Sequence, residues 1–374
     1  MRQSTKIGVV IAICLAPVLA GCGPLQASSH EWVLAGQLLY TLDHPDRVSA
    51  VVWSPEGTRL ATVAHPTEVD QSGSVRVWDS STGALRYSVT DLTGSLSRPA
   101  WSPDGTRLAV ASLEDTVRVY DGTTGEALYT VTGQDATWSP DGTRLATSSS
   151  VTTNPAVTVW DAKTGEPVLT LPGQSTAAWS PDGTRLLTSV IDVKDLNVEM
   201  AARVWDAASG ALIHTVPDVV GGSWSPDGDR FTTGRLDTDR QRWDLVVVDA
   251  ATGTPVYTLS GLANGFGYWS PDGTRLVTAS RDSDTAVTVW DAATGASMAT
   301  VTDHTEPVAQ AAWSPDGAWL ATAGFDDTVR IWDGTSGAFV QTLASAEDVA
   351  DVAWSPDGTR LAADGADGVV RVWK

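Results

Sequence analysis

One nine-residue sequence recurs along the chain and limits what the chain can fold into. It is WSPDGTRLA or a close variant, and successive copies lie roughly 43 residues apart on average. The copies begin at Trp53, Trp101, Trp138, Trp179, Trp224, Trp269, Trp313 and Trp354. A regular period of about 40 residues is typical of chains that repeat one small antiparallel sheet around a ring. The repeat therefore predicts a single domain, although 374 residues could otherwise hold two or three.

Each repeat contains four short segments that favour β-strands. Strand a is an apolar run that ends at the tryptophan, as in Val308 to Trp313. Ser-Pro-Asp-Gly then forms a tight turn, because proline presets φ and glycine tolerates a positive φ. Strand b follows, and strand c alternates at period two, as in Val329 to Trp332. A second turn such as DGTSG at 333–337 leads into strand d.

The two ends of the chain complete each other. Eight repeats carry strands a, b and c, but the chain stops at Lys374, at the end of the last strand c. The segment AGQLLYTL at 35–42 aligns with TGALRYSV at 82–89, which is a strand d. We therefore expect an all-β fold: a single closed eight-bladed β-propeller of four-stranded antiparallel blades, whose last blade is completed by the N-terminal strand. Closure removes the exposed sheet edges that an open array would present.

The Val-Trp-Asp ending of strand c and the glycine that opens strand d resemble the WD40-repeat β-propeller family over about residues 35–374. The pair departs from the pattern at Tyr120-Asp121 and Val248-Asp249. The resemblance implies a structural hydrogen-bond set in the seventh unit, with a weaker case at His44. Its members are His304, Thr322, Asp326 and Trp332.

The N-terminus has the pattern of an export signal. Arg2 and Lys6 precede an apolar run at 7–20, which is too short to span a bilayer comfortably. Leu-Ala-Gly before Cys22 resembles a bacterial lipoprotein signal, which implies a cleaved peptide at 1–21, a lipidated Cys22 and a tether at 22–34. The expected location is the cell membrane, lipid-anchored and facing the extracytoplasmic side, either periplasm or cell exterior. An ordinary secretory signal with an incidental cysteine is the alternative.

Composition narrows the function classes. A formal charge of −21 disfavours nucleic acid, since binding to phosphate depends on clustered Lys and Arg. The five histidines are scattered over separate repeats, and neither H-E-x-x-H nor G-x-S-x-G occurs. We therefore expect no cofactor, no metal and no catalysis. Calcium at Asp237, Asp239 and Asp244 is one alternative; a lactonase-like or hydrolase-like enzyme or a ligand sensor with its site in the central channel is another.

The repeats also separate two faces of the ring. We call the side with the a–b turns (SPDG) and the c–d turns (D-x-x-T-G) the constant face, because these turns barely vary. The side with the d–a and b–c connections is the variable face, with long b–c loops at 63–73, 189–201 and 233–243. Mixed charge with aromatic residues and arginine is typical of protein-recognition surfaces. The predicted contact residues for a protein partner of this monomeric ring are His65, Asp70, Asp192, Lys194, Arg235, Arg240, Trp243, Phe266 and Tyr268.

Overall fold

The computed structural model describes residues 36–65, 73–149, 155–194, 197–237, 242–262, 267–279, 285–344 and 347–374. Within that range, the side chains of residues 192–194, 197–199, 261 and 279 are not described. The described residues form thirty-two β-strands and no helix. The strands group into eight antiparallel sheets of four strands, which are the blades of an eight-bladed propeller.

The first four blades follow one another along the chain. Blade 1 has β2 Arg47–Trp53, β3 Arg59–His65, β4 Ser74–Asp79 and β5 Leu85–Val89. Blade 2 has β6 Ala100–Trp101, β7 Arg107–Ser112, β8 Thr116–Asp121 and β9 Ala127–Thr132. Blade 3 has β10 Asp135–Trp138, β11 Arg144–Ser149, β12 Ala156–Asp161 and β13 Pro167–Pro172. Blade 4 has β14 Ala177–Trp179, β15 Arg185–Lys194, β16 Asn197–Asp206 and β17 Leu212–Pro217.

The remaining blades continue this order until the last one, which borrows the first strand. Blade 5 has β18 Val220–Trp224, β19 Arg230–Asp237, β20 Arg242–Asp249 and β21 Pro255–Leu262. Blade 6 has β22 Tyr268–Trp269, β23 Arg275–Ala279, β24 Val287–Asp291 and β25 Ser297–Val301. Blade 7 has β26 Val308–Trp313, β27 Trp319–Gly324, β28 Thr328–Asp333 and β29 Phe339–Ala344. Blade 8 has β30 Val352–Trp354, β31 Leu361–Ala363, β32 Val369–Trp373 and β1 Leu38–Asp43.

The predicted closure of the ring is confirmed. Strand β1 pairs antiparallel with β32, with Leu42 opposite Val370. Gly36, just before β1, has a φ of 57°, and a Cβ there would lie 3.3 Å from Leu343 of blade 7. The glycines of the c–d turns share this left-handed conformation and close approach to the preceding blade, as Gly83 does against Tyr40. The N-terminal segment therefore takes the place of a strand d.

The hydrophobic core is divided into layers between neighbouring blades. One layer packs Val63 and Val77 of blade 1 against Leu108 and Tyr120 of blade 2. There are eight such clusters of buried residues, and each joins one blade to the next around the ring. Strand b is buried along nearly all its length, as in β7, because both of its faces are covered, whereas strand c alternates between buried and partly exposed residues along most of its length, as in β8.

The repeated tryptophans join the inner strands of adjacent blades. In each repeat the indole Nε1 donates a hydrogen bond to a backbone carbonyl in strand a of the preceding blade, at 3.0–3.4 Å. The bond from Trp53 to Ala353, at 3.0 Å, lies across the closure between blades 1 and 8. The tryptophan of WSPDG is therefore part of the ring's internal wall.

In most repeats, the arginine at the start of strand b clamps its blade to the next one. Arg59 donates to the carbonyl oxygens of Gly122 at 2.6 Å and Gly105 at 2.8 Å, in the two constant-face turns of blade 2. Its guanidinium lies 4.6 Å from the centroid of the Trp101 ring, which is a cation–π distance. Arg185, Arg275 and Arg360 repeat this geometry.

Blade 7 carries Trp319 in place of this arginine. The next blade, blade 8, takes its strands c and d from opposite ends of the chain, so these two strands are not joined by a continuous c–d turn. Trp319 instead packs against the apolar cluster that contains Trp354 and Trp373. The one repeat whose sequence lacks the arginine therefore precedes the blade whose c–d turn is interrupted.

Candidate functional site

The polar side chains of the constant face are used inside the turns that carry them. Asp333 Oδ1 accepts the backbone N–H groups of Ser336 at 2.7 Å and Thr335 at 3.1 Å. These turn hydrogen bonds, first that of the Ser336 amide, lower the pKa of Asp333 below its usual value. In the other turn, Ser270 Oγ donates to Asp272 Oδ1. The repeated acidic residues thus hold their own turns in shape.

A polar cavity of about 610 Å³ lies on the constant face between the turns of blades 4, 5 and 6. Arg185, Arg230, Asp249 and Asp291 are among its walls, together with Asp229, which stands where most repeats have threonine. Arg185 and Arg230 donate to turn carbonyls of the following blades. The cavity is therefore the space left between two of these arginine contacts. Sequence patterns do not predict it, because it arises between turns of different repeats.

The variable face is dominated by two long hairpins in adjacent blades. In blade 4, β15 and β16 pair over ten residues each, as far as Lys194 opposite Asn197. In blade 5, β19 and β20 pair as far as Asp237 opposite Arg242. The matching strands of blade 3 have six residues each. Four further residue pairs extend the blade 4 hairpin by roughly 13 Å, so its paired strands reach beyond the described strands of blade 3.

Two of the predicted contact residues lie on the blade 5 hairpin. Arg235 Nη2 lies 2.8 Å from Asp244 Oδ2, and 43% of the Arg235 side chain is exposed while the Asp244 side chain is buried. Trp243 is half-buried opposite Leu236. Asp192 and Lys194 lie on the blade 4 hairpin, where the backbone alone is described. The two hairpins thus bring four predicted residues to one side of the variable face.

The other predicted contact residues either lie away from the two hairpins or fall outside the described residues. His65 ends β3 of blade 1, opposite blade 5 in the ring, and burial lowers its pKa. Tyr268 belongs to the inner strand β22 instead of a loop, because its carbonyl accepts the Trp313 indole N–H in the tryptophan ring. Asp70, Arg240, Phe266 and Cys22 lie outside the described residues, as does Asp239 of the calcium alternative.

The hairpins also expose apolar side chains that were not among the predicted contact residues. Ile191 on β15 is 36% exposed and Leu236 on β19 is 37% exposed. Each lies at the far end of a strand b that is longer than in the other repeats. The signal was present in the sequence as an apolar residue beyond the usual end of strand b.

The four residues of the seventh unit form one connected set. His304 Nδ1 lies 2.9 Å from Asp326 Oδ1, and its Nε2 lies 2.7 Å from Thr322 Oγ1. Trp332 Nε1 donates to the same Thr322 hydroxyl at 2.9 Å. His304 is 3% exposed, and burial lowers its pKa despite the nearby Asp326 carboxylate. The set joins the d–a loop to strands b and c.

Blades 1 and 4 contain versions of the same set. His44 Nε2 lies 2.7 Å from Thr62 Oγ1, which accepts the Trp78 indole N–H at 2.9 Å. In blade 4, Thr188 Oγ1 donates to Gln174 Oε1 at 2.7 Å and accepts from Trp205. The role of Gln174 was not predicted, because the family pattern has a histidine in this hydrogen-bond set and no sequence motif marks a glutamine there.

Within the described part of the chain, no group of three or more His, Cys, Asp or Glu residues is arranged to hold a metal ion. Among the same residues, no helix has the length and hydropathy that crossing a membrane requires.

Comparison with protein families identifies the repeats. Residues 247–291, 295–333 and 337–374 match the family model described as WD domain, G-beta repeat. The chain contains WD40 repeats. Residues 47–218 match a second family model, described as Eukaryotic translation initiation factor eIF2A. The WD40 matches cover blades 6 and 7, strands a to c of blade 8 and part of blade 5.

Curated proteins share single short stretches of sequence with the chain. Ribosome assembly protein 4 of Saccharomyces cerevisiae is 39% identical over 46 residues, which is 12% of this chain and 9% of that protein. The Notchless protein homolog of Arabidopsis thaliana is 48% identical over 40 residues, 11% of this chain and 8% of that protein. The probable cytosolic iron-sulfur protein assembly protein Ciao1 of Culex quinquefasciatus is 56% identical over 36 residues, 10% and 11% respectively. The chain thus spans about a tenth of each relative's length.

Solved structures match over almost the whole ring. The crystal structure of Chaetomium thermophilum Sqt1 superposes with a TM-score of 0.74 at 20% identity, covering 90% of this chain and 97% of that one. Sqt1 bound to the N-terminus of the ribosomal protein L10 superposes with a TM-score of 0.73 at 19% identity, covering 90% and 99%. At this level of identity the likeness shows a common fold.

The predicted location is wrong. The relatives that share short stretches of sequence with the chain are named for ribosome assembly and for cytosolic iron-sulfur protein assembly, which contradicts a lipid-anchored extracytoplasmic protein. The anchoring of the protein to a membrane through Cys22 likewise has no support in the comparisons. The prediction rested on a short apolar run and one cysteine. Such a local sequence pattern can be present without any tertiary contact that depends on it.

Proposed function

We propose that this WD40-repeat propeller is a non-catalytic scaffold that binds another protein through its variable face, at the neighbouring hairpins of blades 4 and 5. One observation carries the proposal. The side chains of the constant face are committed to turns and clamps, whereas two adjacent blades extend their b–c hairpins from the opposite face. Function commonly resides on connections that vary over a rigid scaffold.

The composition of the hairpins supports a protein partner. Exposed Ile191 and Leu236 offer apolar contacts, and Trp243 and Arg235 are of the residue types that dominate binding energy at protein interfaces. The hairpins rise from a β-sheet whose inner part is fully packed, so little ordering is required when a partner binds.

The comparisons support the class of partner. In one solved structure, Sqt1, a propeller of the same fold, is bound to the N-terminus of the ribosomal protein L10. Relatives that share short stretches of sequence carry names of assembly factors. A protein partner for this chain is consistent with both.

Site-specific cross-linking tests the proposal. A photo-reactive amino acid is placed at Leu236 on the hairpin and, in a second protein, at Leu128, a 46% exposed apolar residue at the outer edge of blade 2. Both proteins are expressed in the native host and irradiated, and the cross-linked proteins are identified. We expect one protein to cross-link at position 236 and not at position 128.

Binding of that purified protein is then measured with substituted propellers. The double variant Ile191→Ser/Leu236→Ser is expected to weaken binding at least tenfold, and Leu128→Ser is expected to leave it unchanged. Thermal unfolding of both variants controls for misfolding. Equal binding by the double variant and the wild type, or cross-links at both positions, would refute the hairpin face as the binding surface.

A further inference from the structure

The mouth of the central channel on the variable face contains a clamp made by one buried carboxylate. Asp351, just before β30 of blade 8, accepts the backbone N–H of Val51 in blade 1 at 2.8 Å through its Oδ2 atom. The same oxygen accepts Arg98 Nη1 of blade 2 at 2.6 Å, and Arg98 Nη2 donates to the Val51 carbonyl at 2.9 Å. Asp351 and Arg98 therefore join the inner strands of blades 8, 1 and 2.

A second buried carboxyl group lies beside the first. Asp364 follows β31 and is 1% exposed, and Asp351 is 3% exposed. Asp364 Oδ1 accepts the backbone N–H groups of Ala350 and Asp351, both at 2.8 Å. The backbone N–H of Asp364 donates to the carbonyl of Asp351 at 3.2 Å. Two backbone N–H groups therefore bind the Asp364 carboxyl group and one backbone hydrogen bond joins the two residues, at the ends of adjacent strands.

The hydrogen bonding of the pair is incomplete. Asp351 Oδ1 and Asp364 Oδ2 are both buried and have no hydrogen-bond partner within the described structure. A buried polar atom without a partner is costly, and an unneutralised buried carboxylate is more so. A proton on Asp364 would remove one of the two buried negative charges and give the pair the hydrogen-bond donor that it lacks.

The charges around the pair do not balance two carboxylates. Arg98 of blade 2 binds Asp351, and Arg47 of blade 1 acts on Asp364 at longer range. Blade 7 contributes the uncharged Gln310, whose Oε1 accepts the Val352 N–H. Within blade 8, Asp367 is paired with Arg371 at 2.6 Å. Among the described residues, the direct ion pair of this site is therefore that of one guanidinium with one of two buried carboxyl groups.

We propose that Asp364 and Asp351 form a proton-binding site, in which Asp364 Oδ2 carries one proton and donates it to Asp351 Oδ1. The proton is taken from solvent when the protein folds and returns to solvent when the site opens. The protonated pair holds the inner strand of blade 8 against blade 1, beside the closure of the ring. Loss of the proton places two negative charges side by side in a buried position and loosens that contact.

The electrostatic environment of Asp364 agrees with this arrangement. Burial, and then the charge of Asp351, raise the pKa of Asp364 to about 8 from its ordinary 3.8. The folded protein then holds a proton that the unfolded chain has lost. Folding stability from this site is therefore fully present below about pH 4, declines as the pH rises, and is lost once the pH exceeds about 8.

The variant Asp364→Asn tests the site, because its amide imitates the protonated carboxyl group. We expect the ratio of unfolding constants, wild type over variant, to rise about tenfold per pH unit between pH 5 and 7.5 and to level off above pH 8. Infrared spectra should show a protonated-carboxyl band in the wild type at pH 7, absent from the variant and lost in the wild type above pH 9. A pH-independent ratio, or no such band in the wild type, would overturn the proposal.

Two further variants separate the shared proton from burial alone. Asp351→Asn removes the charge that raises the pKa of Asp364, so the infrared band should disappear at a lower pH than in the wild type. Asp135→Asn is the matched control, since Asp135 is a lone carboxyl group in blade 3 whose burial raises its pKa to about 6. It should leave the band near pH 8 unchanged. A band unaffected by Asp351→Asn would contradict the sharing of the proton.

Discussion

The two faces of the ring differ in what their side chains are bound to. On the constant face, the repeated tryptophan binds a backbone carbonyl of the preceding blade, as Trp224 does with Ala178. The repeated arginine binds carbonyls of the next blade, as Arg59 does with Gly122 and Gly105, and the aspartate binds its own turn. On the variable face, Arg235 of blade 5 is 43% exposed and binds within its own hairpin. The difference shows why these residues recur: every blade must make the same contacts with its neighbouring blades. Residues that make no contact between blades can differ from repeat to repeat, and the proposed binding surface consists of such residues on the variable face.

Tryptophans on the two faces provide the largest expected contrast. Trp224 is 2% exposed, donates to the Ala178 carbonyl and packs on Phe231, so Trp224→Ala should lower the free energy of unfolding by about 3–5 kcal/mol. Trp243→Ala, at a half-buried site on the blade 5 hairpin, should cost about 1 kcal/mol. Urea unfolding followed by circular dichroism measures both. Similar losses would erase the distinction between the faces.

Arginines give a contrast of intermediate size. Arg59→Met leaves the Gly122 and Gly105 carbonyls without their buried donor, for an expected loss of about 1–3 kcal/mol. Arg118 on the variable face pairs with Asp91, whose side chain is 50% exposed, so Arg118→Met should cost less than about 1 kcal/mol. Urea unfolding curves measure the loss in free energy of unfolding for both variants. A larger loss for Arg118→Met would show that clamps are not confined to the constant face.

A histidine on the variable face gives the smallest effect at neutral pH, because its contribution to stability changes only on acidification. Burial lowers the pKa of His44 to about 4 from 6.5, so the unfolded chain binds a proton first as the pH falls. Stability from this site is therefore present above pH 6.5 and is lost between pH 6.5 and 4. His44→Gln imitates Gln174 of blade 4 and should match the wild type at about pH 8. Its melting temperature should fall less on acidification; parallel melting curves would disprove the role of His44.

The sequence predicted local structure well where one repeat contains all the information. Val329, Arg330 and Ile331 alternate between buried and partly exposed positions as expected of a strand, and Trp332 is buried as well because the neighbouring blades cover both faces. It failed where a contact joins two repeats. Tyr268 is a wall residue because the indole of Trp313 in the next blade binds its carbonyl. Within blade 4, Gln174 was missed because only the folded structure shows that its side chain binds Thr188 as a histidine does in blades 1 and 7. The location failed because a short apolar run has no contact partner to test it.

The sequence alone determined the strands, the turns, the number of blades and the closure of the ring, since period, proline–glycine chemistry and alternation are local properties. WSPDGTRLA was understood from sequence only as a turn between strands a and b. The tertiary structure decided that its tryptophan and arginine bind the neighbouring blade, that the hairpins of blades 4 and 5 project together, and that Asp351 and Asp364 meet. These are contacts between residues of different repeats, or between strands brought together by the ring, and they exist only once the blades have packed.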